Sequence, residues 1–103
     1  MKLSIWTHWE GRSWSGEIPD APTARTETML EYAFRWFNRV DEGDHERMAA
    51  VGYDLPSLSA GDVVTLDGER WLCAPTGWER LSVSDPLPPT AELLYGITPG
   101  DAA

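Results

Sequence analysis

Residues 56–81, with the sequence PSLSAGDVVTLDGERWLCAPTGWERL, are the stretch that decides the fold. Residues 62–66 and 70–74 are rich in the apolar and β-branched side chains of strands. Between them Asp67 and Gly68 supply the positive φ angles that a type I′ hairpin turn requires. A third strand is expected at residues 78–83, after the Thr76-Gly77 pair. The stretch therefore predicts a small antiparallel β-unit.

The polar residues that open this unit are explained by turn chemistry. We expect the hydroxyl of Ser57 or Ser59 to accept a backbone N–H, and Gly61 to adopt a backbone angle that other residues resist. Asp62 is expected to cap the loop before the strand. A nucleophilic serine is disfavoured, because the G-x-S-x-G elbow is missing.

The segment before the unit begins with a strand and ends with a long helix. Residues 2–9 alternate, with Leu3 and Ile5 on one face and Trp6 and His8 on the other. Residues 10–22 are read as turn and loop, with room for a short extended piece around Trp14.

From residue 24 to residue 40 the period changes to that of a helix. Thr23 or Thr26 is the expected N-cap. The predicted apolar face contains Met29, Leu30, Ala33, Phe34, Phe37 and Val40. A break at Gly43 is followed by a short second helix, with Asp44 as its N-cap and Gly52 as its stop.

These elements predict an α+β fold. We expect a small antiparallel sheet of three to four strands with one main helix packed on one face. Residues 1–84 are assigned to a single domain and residues 85–103 to a Pro-rich C-terminal tail. Leu93, Leu94 and Tyr95 are the residues of this tail that could anchor it to the surface.

The composition limits the compartment and the partners. Seventeen acidic residues against eight Lys and Arg give a net charge of -9, which disfavours direct binding to nucleic acid and favours basic partners. With one cysteine, Cys73, an intrachain disulfide is impossible. The chain has no apolar run of membrane-spanning length. A cytoplasmic protein is expected.

The run Pro56, Ser57, Leu58, Ser59, Gly61, Asp62, Val63 and Val64, closed by Gly77-Trp78, resembles the motif of the YodL-like family and its actinobacterial and phage relatives. The resemblance covers roughly residues 28–82, including the preceding amphipathic helix. It implies an accessory protein of a phage or mobile genetic element. It implies no particular activity.

Candidate catalytic and metal-binding residues are few. His8 and His45 have acidic neighbours, but consecutive carboxylates on a helix point in different directions, so solvated side chains are expected rather than a metal site. Cys73 is expected to be a buried strand residue. No catalytic residue, metal or cofactor is predicted. A small enzyme or metal-binding protein that uses His8 or His45 remains an alternative.

The surface is the better candidate for function. Six tryptophans are more than a small core hides, and tryptophan is enriched at interfaces. We expect a non-catalytic inhibitory or accessory protein that binds a host protein. One alternative is an acidic nucleic-acid mimic that blocks a host defence nuclease, and another is a two-fold homodimer. The predicted binding residues are Trp6, Trp9, Trp14, Tyr32, Trp36, Asp41, Glu42, Asp44 and Glu46.

Overall fold

The computed structural model describes residues 1–20, 25–39, 42–82 and 85–87. Its strands are β1 (Lys2–Trp6), β2 (Ser13–Glu17), β3 (Val63–Leu66), β4 (Glu69–Cys73) and β5 (Trp78–Leu81). Its helices are α1 (Thr26–Trp36) and α2 (Glu42–Ala50). The expected positions of Thr23, Val40, Asp41 and the tail anchor at Leu93, Leu94 and Tyr95 lie outside the described residues. The expected domain boundary at residue 84 also lies there and stays a prediction.

The α+β class is confirmed, and the sheet has five antiparallel strands in the order β2-β1-β3-β4-β5. The additional strand is β2, which lies where the sequence left room for a short extended piece around Trp14, within a segment otherwise read as turn and loop. Two of its five residues are serines and one is glycine, so its composition is poor in strand formers. Pairing with β1 compensates, because Ile5 lies opposite Trp14 and Leu3 opposite Gly16.

The β3–β4 hairpin turns as its sequence predicts. Asp67 has φ of 51° and Gly68 has φ of 79°, both in the left-handed region that a type I′ turn needs. This turn sets the register in which Val64 lies opposite Trp71. On its other side Val64 pairs with Ile5, which makes β3 the centre of the sheet.

Helix α1 is shorter than expected, and its predicted N-cap at Thr26 is wrong. Arg25 occupies the cap position without a side-chain cap hydrogen bond, and Thr26 is the first helical residue. The predicted apolar face is confirmed, since Leu30, Ala33 and Phe37 are fully buried. At the other end, the Arg47 guanidinium donates to the Trp36 carbonyl at 2.9 Å and satisfies one carbonyl of the last turn.

Helix α2 begins earlier than the glycine pattern predicts. Gly43 is its second residue and Asp44 lies in its first turn, so neither the break at Gly43 nor the cap at Asp44 is found. The predicted stop is confirmed, because Gly52 follows the helix with φ of 73°. Met48 is the buried residue of α2. The fold therefore has two helices rather than one main helix.

Both helices contribute to a core on one face of the sheet. The register places alternate residues of neighbouring strands on this face. The buried cluster contains Leu3, Ile5, Trp14, Ile18, Leu30, Ala33, Phe37, Met48, Tyr53, Leu55, Leu58, Val64 and Leu66. The opposite face has Trp6, Val63 and Leu72 side by side in one row, and Val63 is buried there.

Candidate functional site

The most concentrated polar site joins the residues after β1 to the residue before β3. The Asp62 carboxylate is fully buried. One of its oxygens lies 2.6 Å from His8 Nδ1 and accepts the His8 backbone N–H at 3.0 Å. The other oxygen accepts the Ser59 backbone N–H at 2.9 Å. His8, expected to be a solvated side chain, is instead buried.

The loop around this pair has the conformation that its turn residues predict. Gly61 has φ of 102°, and a Cβ at this position would lie 3.0 Å from the His8 ring. Asp62 therefore caps the loop, and Gly61 permits the approach of the imidazole. Ser57 Oγ accepts a backbone N–H at 3.0 Å as predicted, but the donor is Arg39 rather than a residue of the turn.

Trp9 and Cys73 lie next to the His8–Asp62 pair. The Trp9 ring lies against the imidazole at a centroid distance of 4.7 Å, and its Nε1 is 3.4 Å from Ser59 Oγ. Cys73 contacts Asp62 through the backbone, because the Cys73 N–H donates to the Asp62 carbonyl at 2.8 Å. Burial, with a smaller contribution from the Asp62 charge, raises the pKa of the Cys73 thiol to about 11.

This site does not activate Cys73 as a nucleophile. His8 meets a carboxylate, as the enzyme alternative requires, and His45 is exposed. A thiol with a raised pKa stays protonated near neutral pH, which is opposite to the low pKa of reactive cysteines. Within the described ranges, no three His, Cys, Asp or Glu side chains group as metal ligands. The carboxylate and imidazole thus connect two strands.

The predicted aromatic residues are divided between core and surface. Trp14 is buried, with its ring 5.1 Å from Phe37 and 5.5 Å from Tyr53, and its Nε1 donates to the Val51 carbonyl at 3.1 Å. It is therefore not available to a partner, contrary to expectation. The cause is Gly16, whose missing side chain leaves the space that the Trp14 ring fills.

The other aromatic residues named from sequence, Trp6, Trp9, Tyr32 and Trp36, are half-buried. Trp6 lies on the sheet face opposite the core, whereas Tyr32 and Trp36 belong to α1. Trp78, which the surface argument missed, is also half-buried, and its Nε1 donates to Glu31 at 3.1 Å. The sequence signal that could have found Trp78 is its position directly after the turn glycine Gly77, at the start of the edge strand β5.

Trp36 is held at the junction of the two helices. The Arg47 guanidinium lies over its ring, 5.0 Å from the centroid, and donates to Asp44 at 2.7 Å. Asp44 is thus an ion-pair partner rather than a free surface charge. Arg47, Asp44 and Trp36 form one contact group that fixes the start of α2 against the end of α1.

The predicted acidic residues on α2 differ in their exposure. Glu42 and Glu46 are exposed, one helical turn apart, and have no ion-pair partner among the described residues. Asp41 lies outside the described residues. Glu42 and Glu46 share one side of α2, whereas Arg47 and Asp44, through which Trp36 contacts this helix, lie on another side. We call Glu42, Glu46 and Trp36 the α2 surface.

Several arginines are used for contacts within the chain. Arg39 donates to the Leu55 carbonyl at 2.7 Å, and Arg70 donates to the Ser82 and Asp85 carbonyls at 2.5 and 2.6 Å. Such contacts fix the positive charges close to the backbone. The exposed carboxylates therefore determine the sign of the surface potential.

Comparisons of this chain with known protein families, with characterised proteins and with solved structures find no match. Neither helix in the described part of the chain is long and apolar enough to cross a bilayer.

Proposed function

We propose that this protein binds a basic surface of another protein through its α2 surface and acts without catalysis. The observation that carries the proposal is the pair of exposed carboxylates at Glu42 and Glu46, on the helix whose Arg47 holds the Trp36 ring in place. Carboxylates steer a cationic partner, and a half-buried tryptophan supplies apolar contact area. The proposed partner is a host protein in the cytoplasm of a bacterium that carries a phage or mobile element.

Rigidity of the α2 surface supports the proposal. The Asp44–Arg47 ion pair and the hydrogen bond from Arg47 to the Trp36 carbonyl connect both helices. Groups that are fixed before binding lose little conformational freedom on association. The surface therefore suits a preformed recognition site. The mobile-element setting is supported separately, by the resemblance of residues 56–64 to the YodL-like family.

The nucleic-acid mimic is a narrower form of the same proposal. Glu42 and Glu46 are separated by about 6 Å along the helix axis, since each residue of an α-helix rises 1.5 Å. Regularly spaced negative charges are what a groove that binds phosphates recognises. If the partner is a nuclease, duplex DNA and this protein compete for it. If the partner binds no nucleic acid, the competition is absent.

The test uses partner captured from bacterial lysate on the immobilised chain, eluted with salt and identified by mass spectrometry. Its affinity is then measured for the parent, for Glu42→Gln/Glu46→Gln, and for the matched control Glu17→Gln/Glu79→Gln. Both variants remove two exposed charges. We expect the helix variant to bind about tenfold more weakly, which corresponds to about 1.4 kcal/mol, and the control to bind nearly as well as the parent.

Equal affinities for the two variants would show that only net charge matters and would overturn the assignment of the α2 surface. A Trp36→Phe variant tests the contribution of the aromatic contact to binding separately. It keeps an aromatic ring beneath Arg47 but reduces contact area, so weaker binding without a change in salt dependence is expected.

A further inference from the structure

The outer edge of β2 pairs with no strand in the described part of the chain, and the proposed function does not use it. Its hydrogen-bonding direction follows from the register with β1. Ile18 N–H donates to the Met1 carbonyl at 3.0 Å, and Thr7 N–H donates to the Arg12 carbonyl at 2.9 Å. Bonded and non-bonded pairs alternate along an antiparallel ladder. The N–H and C=O groups of Ser13, Ser15 and Glu17 therefore point away from β1.

Ser13, Ser15 and Glu17 are exposed, and within the described ranges their backbone groups bond to no other segment. β2 also lacks the features that usually protect an edge, since it has no proline and no lysine and its centre is uncharged. The edge strand on the other side, β5, has Glu79 and Arg80 at its centre.

Local charge decides which partner fits this edge. In residues 1–20 the terminal ammonium, Lys2 and Arg12 balance Glu10, Glu17 and Asp20, although the chain carries a net charge of -9. Asp20 binds the ammonium at 2.7 Å, Arg12 binds Glu10, and Lys2 lies opposite Glu17. A cationic partner gains nothing at a neutral edge. A second copy of the chain can approach there without like-charge repulsion.

We propose that two copies of this chain pair antiparallel through β2, with the two-fold axis at Ser15, to form one continuous ten-stranded sheet. Ser15 then lies opposite the partner's Ser15, and Ser13 lies opposite the partner's Glu17. The three outward-facing residues exchange about six backbone hydrogen bonds between the copies. No two like charges face each other. The proposal is independent of the α2 surface.

Side chains on both faces are compatible with this register. On the face opposite the core, the Ser4–Ser15 hydroxyl pair, 2.8 Å apart, continues across the axis into the same pair of the other copy. On the core face, Trp14 lies opposite the partner's Gly16. The ring of Trp14 already covers its own Gly16, so an aromatic side chain next to an edge glycine recurs across the interface.

The first experiment measures molar mass by light scattering over a concentration series. The parent is expected to approach twice the chain mass as concentration rises. Ser15→Pro is expected to remain monomeric, because proline removes an outward N–H without breaking a bond to β1. Arg80→Pro is the matched control. Its N–H also points outward, from β5, because Ala74 and Gly77 form a bonded pair. It should dimerise like the parent.

A monomeric parent at every concentration overturns the proposal, and so does a Ser15→Pro variant that still dimerises. If circular dichroism shows that Ser15→Pro fails to fold, Ser15→Lys replaces it, because this variant places two like charges opposite each other at the axis and leaves the backbone intact. That variant must be monomeric.

The second experiment tests the register by oxidation. Ser15→Cys is expected to form a covalent dimer on a non-reducing gel, because the two thiols face each other across the axis. Ser13→Cys is expected to form much less, since its partner position is Glu17. The parent, whose Cys73 is buried, is the control. Equal cross-linking of the two variants would overturn the register.

Discussion

His8 Nδ1 lies 2.6 Å from Asp62 Oδ1, although the two residues are 54 positions apart in the chain. The same carboxylate accepts the backbone N–H groups of His8 and Ser59. Two backbone N–H donors and the His8 ring nitrogen thus converge on one buried carboxylate, and hydrogen bonds to a carboxylate are stronger than those between neutral groups. The pair connects the end of β1 to the loop that begins β3, and so fixes the two central strands to each other.

The first prediction is that Asp62→Ala is strongly destabilising. The variant leaves two backbone N–H donors and the His8 ring nitrogen without their partner, and a buried polar group left unpaired costs about 1–3 kcal/mol. Because the loop can relax, we expect the free energy of unfolding to fall by about 3 kcal/mol in total. Urea denaturation followed by tryptophan fluorescence measures the change. Glu79→Ala, which removes an exposed carboxylate from β5, should change stability by less than about 0.5 kcal/mol.

A double-mutant cycle separates the His8 imidazole from the two backbone donors. If the His8–Asp62 side-chain pair contributes to stability, Asp62→Ala lowers the free energy of unfolding by less in a His8→Ala background than in the parent. Additive effects of the two substitutions would contradict a direct interaction.

The second prediction concerns the space that Gly61 leaves for the imidazole. Gly61→Ala meets two costs, because φ is 102° and the new Cβ would lie 3.0 Å from the His8 ring. Gly52→Ala is the matched control, since φ is 73° and no atom lies within 4 Å of the new Cβ. We expect a loss of about 1 kcal/mol for the control and a larger loss, about 2–4 kcal/mol, for Gly61→Ala. Equal losses in urea denaturation would show that contact with His8 contributes nothing.

Local sequence signals predicted the features that depend on neighbouring residues. The Asp67-Gly68 turn, the stop at Gly52, and the roles of Gly61 and Asp62 all follow from backbone preferences within a few positions. Pairing over long distances was not predictable in this way. The burial of His8 depends on Asp62, and no periodicity in residues 2–9 indicates a partner so far along the chain.

The same reason explains the errors at β2 and at Trp14. β2 contains no β-branched residue, so its strand conformation comes from pairing with β1 rather than from propensity. Once it pairs, Trp14 faces the core beside Ile5. The candidate site changed accordingly. Of the acidic residues expected to bind, Glu42 and Glu46 are exposed, whereas Asp44 is bound to Arg47.

The third prediction is that Gly16→Ala destabilises the fold, although alanine in place of glycine usually stabilises a strand. A Cβ at position 16 would lie 2.4 Å from the Trp14 ring, so the ring must move within the core. Overpacking of this kind costs about 1–3 kcal/mol. Thermal unfolding measures the loss, and a changed near-ultraviolet circular dichroism spectrum reports the displaced tryptophan. The control variant Glu79→Ala removes an exposed side chain from β5 and should leave both quantities nearly unchanged. A Gly16→Ala variant more stable than the parent would contradict the packing of Trp14 over Gly16.

The fourth prediction is a loss of stability at alkaline pH that Cys73 contributes to. Burial raises the pKa of its thiol to about 11, above about 8.5 for an exposed cysteine. The folded state thus holds the thiol proton more tightly than the unfolded state does, and this contribution is complete below about pH 8.5. It is lost as the pH rises through about 11. In denaturation with reducing agent at pH 8, 9.5 and 11, the free energy of unfolding should therefore fall more steeply for the parent than for Cys73→Ala.

Burial also raises the pKa of Tyr53, but this residue is present in both proteins and does not affect their difference. Parallel pH profiles for the two proteins would show that the thiol ionises equally well in the folded and unfolded chains, contrary to its buried position beside Asp62.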